Sequence, residues 1–356
     1  MDSPYRPELL AAISAVQRAA KLSQSLISSR DKGTIQKDDL SPVTVGDFAI
    51  QALLTAALHK SFPDDGFVGE ESADELRADR VLCDRVWNAV REFAEVVPES
   101  KERMCEMIDW SGLGVPVQSE KRRVWVFDPI DGTKTFVQGR MYAINVALLV
   151  DGKQVLSVVG CPVLALNAKA PLTNDLVDPS GRGSILFAVK GYGAYVRQLP
   201  GAPEEVEIRR LQPLADTLAA NDLKLVTSVY MADSGVDEVH QGVAMKLGVE
   251  YPGSDLLAWV VRWVSLALGL ANMTVWVYRR RDRLAKIWDH AGAMLLFEEV
   301  GGKITDVDGK EIDLSAGRKM TANYGWVAAP RHLHGAVLQA VQDTLKEQGR
   351  DDLLAQ

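Results

Sequence analysis

Asp128-Pro129-Ile130-Asp131-Gly132-Thr133 is the stretch on which the reading of this sequence turns. It follows Val124-Trp125-Val126-Phe127, a β-branched and aromatic run with the signature of a buried strand. The hexapeptide therefore stands at a strand's C-terminal end, where open α/β sheets place ligands. Two carboxylates three residues apart around a Pro-Ile bend can converge on one point. Buried without a partner, two such acids repel each other and lose their hydration. A shared pair of hard cations removes both penalties, and Mg2+ takes a few carboxylates together with waters and phosphate oxygens. Gly132 lets the backbone turn sharply and approach a ligand, and Thr133 sets a hydroxyl one step beyond. An ordinary Asp-Pro…Asp-Gly turn would use the same residues, and this segment alone does not separate the two readings.

Three further acidic segments are ambiguous in the same way. Gly69-Glu70-Glu71-Ser72 follows the short strand Phe67-Val68-Gly69 and, in isolation, reads as an acidic helix start facing the positive end of the dipole. Ile287-Trp288-Asp289-His290-Ala291-Gly292 puts Asp289 where a helix is expected to begin, so N-capping is its ordinary role. His290 has no second histidine at a ligand spacing and reads as structural. Thr44-Val45-Gly46-Asp47 places Asp47 at another helix start with the same capping role open to it.

Composition bounds the function. A chain of 356 residues is long for one core, so two packed lobes are expected: an α+β metal-binding lobe over 1–200 and an α/β substrate-binding lobe over 201–356. The net charge of −8 argues against a nucleic-acid surface, but not against a phosphorylated substrate, because bound divalent cations invert the local sign. The three cysteines, Cys83, Cys105 and Cys161, are odd in number and form no Cys-x-x-Cys. Neither a disulfide framework nor a thiolate zinc site is expected, and a reducing compartment fits. The N-terminus lacks a basic segment followed by an apolar one. The most apolar stretch, residues 263–278, is shorter than the ~20 residues of a spanning helix. A cytoplasmic protein with no membrane association, monomeric or homodimeric, is the expectation.

Apolar periodicity predicts helices over 7–29, 47–61, 235–247, 255–269, 289–300 and 331–347. Strands are predicted over 67–69, 124–127, 142–150, 154–161, 184–189, 192–197, 224–229, 273–278 and 325–329. Residues 73–120 read as a helix plus a long excursion, 165–183 as a surface loop, and 198–222 as the break between lobes.

Taken together and in order, GD…FPDD-x3-GEES…DPIDGT…WDHAG resembles the lithium-sensitive phosphatases of the inositol monophosphatase superfamily, over roughly residues 40–305. SPVTVGDFA with FPDDGFVGEES, the long link between residues 72 and 128, and LALGLA followed by KIWDHAG are similar to the fungal and plant 3'(2'),5'-bisphosphate nucleotidases within it. The resemblance implies a five-layer αβαβα sandwich of the inositol monophosphatase and fructose-1,6-bisphosphatase type, with the site between the lobes. It implies that Glu70, Asp128 and the Ile130 carbonyl hold one Mg2+, and that Asp128, Asp131 and Asp289 hold a second. A third, looser ion occurs in some members. Thr133, hydrogen-bonded to Asp47, would orient or deprotonate the attacking water. The amides around Gly132 and Thr133 and the helix expected to begin at Asp289 would cradle the phosphate. The implied reaction is removal of the 3'-phosphate from adenosine 3',5'-bisphosphate or its sulfated form.

The resemblance weakens at the nucleotide pocket, where the family uses a His, a Ser, a Lys and an Arg. Val236 stands at the His position, with His240 one helical turn later. Trp259 stands at the Ser position unless Gly253-Ser254 supplies it, Arg262 keeps the charge of the Lys, and Trp276 falls where the Arg is expected. Trp259, Trp263 and Trp276 can stack on a base or pack a core, and core packing is the expectation for at least two of them. Arg279-Arg280-Arg281-Asp282-Arg283 can attract a second phosphate or form a solvated loop, and Asp306-Val307-Asp308-Gly309 reads as a β-turn. Two alternatives stay open: a phosphatase of another small monoester (an inositol phosphate, a sugar phosphate or a modified nucleotide), and a non-catalytic binding protein on the same fold. Against the second stands the presence of every acid of the metal motif together with Asp47 and Thr133.

Overall fold

Helical and strand spacing of apolar residues becomes ten α-helices and fourteen strands among the described residues of the computed structural model. These residues are 3–28, 34–36, 42–117, 122–201, 206–231 and 233–355, with only the backbone described for 34–36 and 42–44. In chain order, α1 (Arg6–Ser28) leads through the hairpin β1 (Thr34–Gln36) and β2 (Pro42–Thr44) into α2 (Val45–Ser61) and β3 (Gly66–Gly69). Then come α3 (Asp74–Ala78), α4 (Arg80–Phe93), α5 (Lys101–Gly112), β4 (Arg123–Asp131) and α6 (Thr133–Phe136). Next are β5 (Ala143–Val150), β6 (Lys153–Cys161), β7 (Ser184–Val189), β8 (Gly193–Gln198), β9 (Arg209–Arg210) and β10 (Val226–Thr227). The last part holds α7 (Asp237–Leu247), β11 (Ser254–Asp255), α8 (Trp259–Ala267), β12 (Thr274–Trp276), α9 (Ala293–Glu299), β13 (Gly302–Thr305), β14 (Trp326–Pro330) and α10 (His334–Glu347).

Strands β3 to β9 form one seven-stranded sheet in sequence order, and only the β3–β4 pair is parallel. Its inner strands are buried on both faces, which is why β5 (AINVALLV) and β7 (SILFAV) read as continuous apolar runs rather than alternations. Helices α1 and α2 cover one face, against β6 and β4; α8 and α9 cover the other, against β5, β6 and β7. Beyond them lies the sheet β12-β14-β13, joined to the parallel pair β10-β11 through a bridge between Leu225 and Met273. Helices α7 and α10 pack together outside it, α10 against β14. The result is the expected five-layer αβαβα sandwich. The first sheet extends past residue 200 to β9, and α9 packs against strands of both sheets.

Several elements differ from the sequence reading for local reasons. The strand over 224–229 shortens to β10 because residues 229–231 turn into a 3-10 helix. The helix over 255–269 starts at Trp259, since Ser254 and Asp255 pair with β10 instead. The helix over 289–300 starts at Ala293, and Asp289 closes a separate 3-10 turn, Ile287–Asp289. Residues 73–120 hold three helices, α4 capped by the Asp79 carboxylate and α5 by the Ser100 hydroxyl. Strand β13 had no prediction; it is four residues long and opens on Gly302. Residue 29 of the first expected helix, residues 40 and 41 of the motif region, and residues 118–120 and 202–205 of the two long connections lie outside the described residues. The three cysteines are free and buried. Among the described residues no helix is long and apolar enough to cross a membrane.

The C-terminal end of α5 lies hard against β3 and the turn that follows it. A Cβ at Gly112 would overlap the Glu71 carbonyl, and one at Gly114 would overlap the Phe67 carbonyl. Backbone cannot yield as a flexible side chain does, so Gly112→Ala is expected to destabilise the protein by about 1–3 kcal/mol in urea denaturation. Gly335→Ala, in α10 with no atom within 4 Å of the new methyl group, should stay within about 1 kcal/mol of wild type or stabilise it.

Candidate active site

Strands β3 and β4 run parallel with Gly69 opposite Phe127, so Glu70 and Asp128 leave neighbouring strand ends on one edge of the sheet. Asp128 pairs with Asn145 of β5; between Asp128 and Asp131 the register shifts, and Asp131 lies opposite Ala143. Pro129 has no N–H for the ladder, and a bulge of this kind bends the strand and re-aims its side chains. The loop is closed locally: the Ile130 amide donates to Asp128 Oδ1 at 3.0 Å, and the Thr133 hydroxyl donates to the Ile130 carbonyl at 3.2 Å. Gly132 adopts φ 87°, and a Cβ there would meet the Thr135 hydroxyl and the Ala258 methyl. Only glycine satisfies both conditions.

The opposite wall is formed by the 3-10 turn carrying Asp289. Oxygens of Asp128, Asp131 and Asp289 all lie within 4.8 Å of one another. Asp47, in the first turn of α2, and Glu70 are close enough for their charges to act on Asp128. Asp47, Asp128 and Asp131 are buried, and Glu70 and Asp289 are half-buried.

Fixed dipoles hold the acids in place. Both carboxylate oxygens of Asp131 receive backbone amides at the start of α8, from Trp259 at 3.2 Å and Val260 at 2.6 Å. An acid on the first sheet thus caps a helix of the central layer. Gln51, one turn beyond Asp47, holds the turn behind Glu70: its Oε1 accepts from the Glu71 amide at 2.8 Å, and its Nε2 donates to the Glu71 and Ile108 carbonyls at 2.6 and 3.1 Å. Asn145 Nδ2 donates to the Trp288 carbonyl at 2.7 Å, which ties Asp289 to the strand opposite Asp128. Gln51 and Asn145 went unassigned in the sequence reading. The available signal was a polar residue within a buried apolar element, which marks a side chain that must find a partner.

Crowding raises the proton affinity of the cluster. The Asp128 carboxyl is held well above the ordinary carboxylate range, first by burial and then by Glu70, Asp131, Asp289 and Asp47. Asp131 is pushed up to about 7 by burial, against the opposing pull of the Val260 amide, Arg262 and the Trp259 amide. Asp289 is raised by burial, then by Asp131 and Glu70, with Lys286 opposing. An all-oxygen donor set whose members repel one another fits a hard divalent cation.

The remaining candidates sit around this cluster in different states. Arg262 is buried, donates to the Leu256 and Leu257 carbonyls at 2.8 and 3.0 Å, and lies over the rings of Trp259 and Trp276 at 4.0 and 4.8 Å. Burial pushes its pKa down to about 10, with Asp131 the main opposing charge. His240 is buried, accepts the Val277 amide at Nε2 (2.9 Å) and leans on Trp276; burial, with Arg262, holds it at about 3 and therefore neutral. The Ser254 hydroxyl accepts the Leu172 amide at 3.2 Å. His290 Nδ1 accepts Trp263 Nε1 at 3.1 Å within a buried cluster that includes Trp259 and Trp326. Trp259, Trp263 and Trp276 are all in the core. Arg281 is paired with Asp308 and Arg280 with Asp282. The 306–309 segment is a turn, with the Gly309 amide on the Asp306 carbonyl.

The sequence profile described as "Inositol monophosphatase family" matches residues 5–346. A protein of Emericella nidulans named 3'(2'),5'-bisphosphate nucleotidase is 36% identical over 354 residues, covering 96% of this chain and 99% of its own. Proteins of the same name from Schizosaccharomyces pombe and Oryza sativa are 34% and 33% identical, covering 92% and 98% of this chain and 93% and 97% of their own. Among solved structures, an IMPase/NADP phosphatase complexed with NADP and Ca2+ superposes with a TM-score of 0.62 at 18% identity, over 96% of this chain and 97% of that one. A 2'AMP-bound SaIMPase-II superposes with a TM-score of 0.55 at 15% identity, over 96% of each chain.

The raised carboxyls set a sign for metal and pH. Between about 4, the ordinary carboxyl value, and about 7 for Asp131, the metal-free folded state holds more protons than the unfolded chain. These groups therefore contribute stability at low pH that is lost as pH rises through that window. A divalent cation competes with the same protons. The rise in melting midpoint on adding Mg2+ or Mn2+ should be small at pH 5 and several-fold larger at pH 7.5. An equal rise at both values would contradict a cation held by these acids.

Proposed function

Since the chain belongs to the inositol monophosphatase family and is a phosphatase, we propose that it removes the 3'-phosphate of adenosine 3',5'-bisphosphate, or of its sulfated form, with two Mg2+ ions. The observation that carries this reading is the convergence of Asp128, Asp131 and Asp289, from two distant segments, within 4.8 Å. The nearly full-length relatives named as bisphosphate nucleotidases support the substrate.

In this reading Glu70, Asp128 and the Ile130 carbonyl hold one ion, and Asp128, Asp131 and Asp289 hold the other. When bound, paired Mg2+ acidifies an attacking water and neutralises charge on the departing oxygen. Thr133, anchored on the Ile130 carbonyl, orients that water through its hydroxyl, and Asp47 takes up the proton. The amides of Gly132 and Thr133 face the phosphate. The two helix amides on Asp131 favour its charged form against the burial that raises it. On the nucleotide side, Arg262 supplies fixed positive charge, while His240 and Ser254 support the wall through the Val277 and Leu172 amides they accept. The protein acts in the cytoplasm.

Phosphate release should be measured from adenosine 3',5'-bisphosphate, inositol 1-phosphate and fructose 1,6-bisphosphate, with Mg2+ and then with Li+ added. The bisphosphate nucleotide should lead in kcat/KM and be inhibited by Li+; preference for inositol 1-phosphate would move the chain to the alternative monoester reading. Loss of an outer-shell partner of a metal ligand typically costs 10–100-fold, and loss of the ligand itself costs more. Asp128→Asn should therefore lower kcat by more than ~100-fold with the fold unchanged by circular dichroism. Asp47→Ala should lower kcat by ~100-fold or more while calorimetric Mg2+ affinity stays within threefold. A variant that loses metal and keeps its rate would exclude the proton role.

A further inference from the structure

One cation in the second half of the chain reaches both metal-ligand segments. Arg318 lies in the connection between β13 and β14. One of its terminal nitrogens donates to the Ser111 and Gly114 carbonyls, both at 3.0 Å, and the other donates to the Gly69 carbonyl at 2.7 Å. Its Cζ lies over the ring of Trp288, 4.7 Å from the ring centre, and the Arg318 carbonyl accepts the Ile287 amide at 3.0 Å. Gly69 directly precedes Glu70, and Trp288 directly precedes Asp289.

We propose that Arg318 is a positioning residue of the phosphatase site, fixing Glu70 and Asp289 relative to each other so that both carboxylates can hold the metal; this rests on the metal-phosphatase reading above. The chemistry requires arginine. A planar guanidinium can present an edge to three carbonyls and a face to an indole at once, whereas an ammonium is a point charge with no face. Two of the carbonyls close the C-terminal end of α5, where a cation also meets the negative end of the helix dipole. The chain of contacts then continues from Trp288 through its carbonyl to Asn145, which pairs with Asp128. One connected path thus runs from the Glu70 turn to the Asp289 turn and on to the Asp128 strand. The Glu70 charge acts on Arg318 against the effect of burial, consistent with their proximity.

The test separates positioning from lobe adhesion. Mn2+ binding to the full chain is measured by calorimetry, without substrate, for wild type, Arg318→Ala and Arg318→Lys, alongside the Mg2+ dependence of kcat. Arg318→Ala should weaken Mn2+ binding ~10–100-fold, as loss of an outer-shell partner does. The Mg2+ half-saturation should rise in parallel, kcat at saturating Mg2+ should fall less, and added methylguanidinium should restore part of the affinity. Arg318→Lys keeps the charge without the face and should still bind Mn2+ at least ~5-fold more weakly; it also decides the matter if the alanine variant does not fold. Mn2+ affinity within twofold of wild type in a folded variant, whatever its melting point, overturns the proposal. Absence of Mn2+ binding by the wild-type protein overturns the metal-phosphatase reading itself, and the two failures are thereby told apart.

Discussion

Carboxylates gathered in one buried place repel one another, and the rest of this structure is arranged to hold them there. Asp47, Glu70, Asp128, Asp131 and Asp289 come from segments spread over more than two hundred residues, and none would choose the others' company in a metal-free protein. Their proximity is held by hydrogen bonds to backbone, made either to the carboxylate itself or to the turn that carries it. The α8 amides grip Asp131, Gln51 grips the turn of Glu70, and Asn145 grips the turn of Asp289. The repulsion that remains is a reservoir a divalent cation relieves, which makes binding energy and site geometry two sides of one constraint.

Topology explains where that constraint could be met. A parallel pair inside an otherwise antiparallel sheet puts two strand ends on the same edge, and only β3 and β4 are so paired. The bulge at Pro129 then lets one strand supply two acids instead of one. Helices α8 and α9 sit between the two sheets, so the second half of the chain can add its own acid and a helix terminus from the opposite side.

Legibility in the sequence follows how local each cause is. The Asp128–Thr133 segment could be read because its geometry is made within six residues: a strand end, a proline that cannot donate and a glycine that must turn. The layer order was legible through the resemblance, while the helices of the 73–120 excursion were merged because their caps, Asp79 and Ser100, are single polar residues in a polar stretch. Asp289 was placed at a helix start by composition, yet the helix waits until Ala293, because His290, at φ −129° and ψ −43°, interrupts the helical backbone after the 3-10 turn. For Gln51 and Asn145 the sequence offers only the sign of a polar residue within a buried apolar element, and neither their partners nor those of Arg318 could be read from it. Their partners are carbonyls 20 to 249 residues away, and nothing in a neighbouring residue announces them.

The departures from the family pattern around Arg262 form one packed group in the structure. Where the resemblance leads one to expect a lysine, Arg262 lies over the rings of Trp259 and Trp276, the second at the expected arginine and the first at the expected serine unless Ser254 supplies it. A lysine ammonium in that buried place would want hydrogen-bond acceptors all round. The guanidinium lies over two rings that meet nearly edge to face, and gives Nε to the Leu256 carbonyl and one terminal nitrogen to the Leu257 carbonyl. The site therefore keeps a positive charge beside Asp131, with two of the guanidinium nitrogens given to the chain's own carbonyls and the third, buried, left without a partner among the described residues.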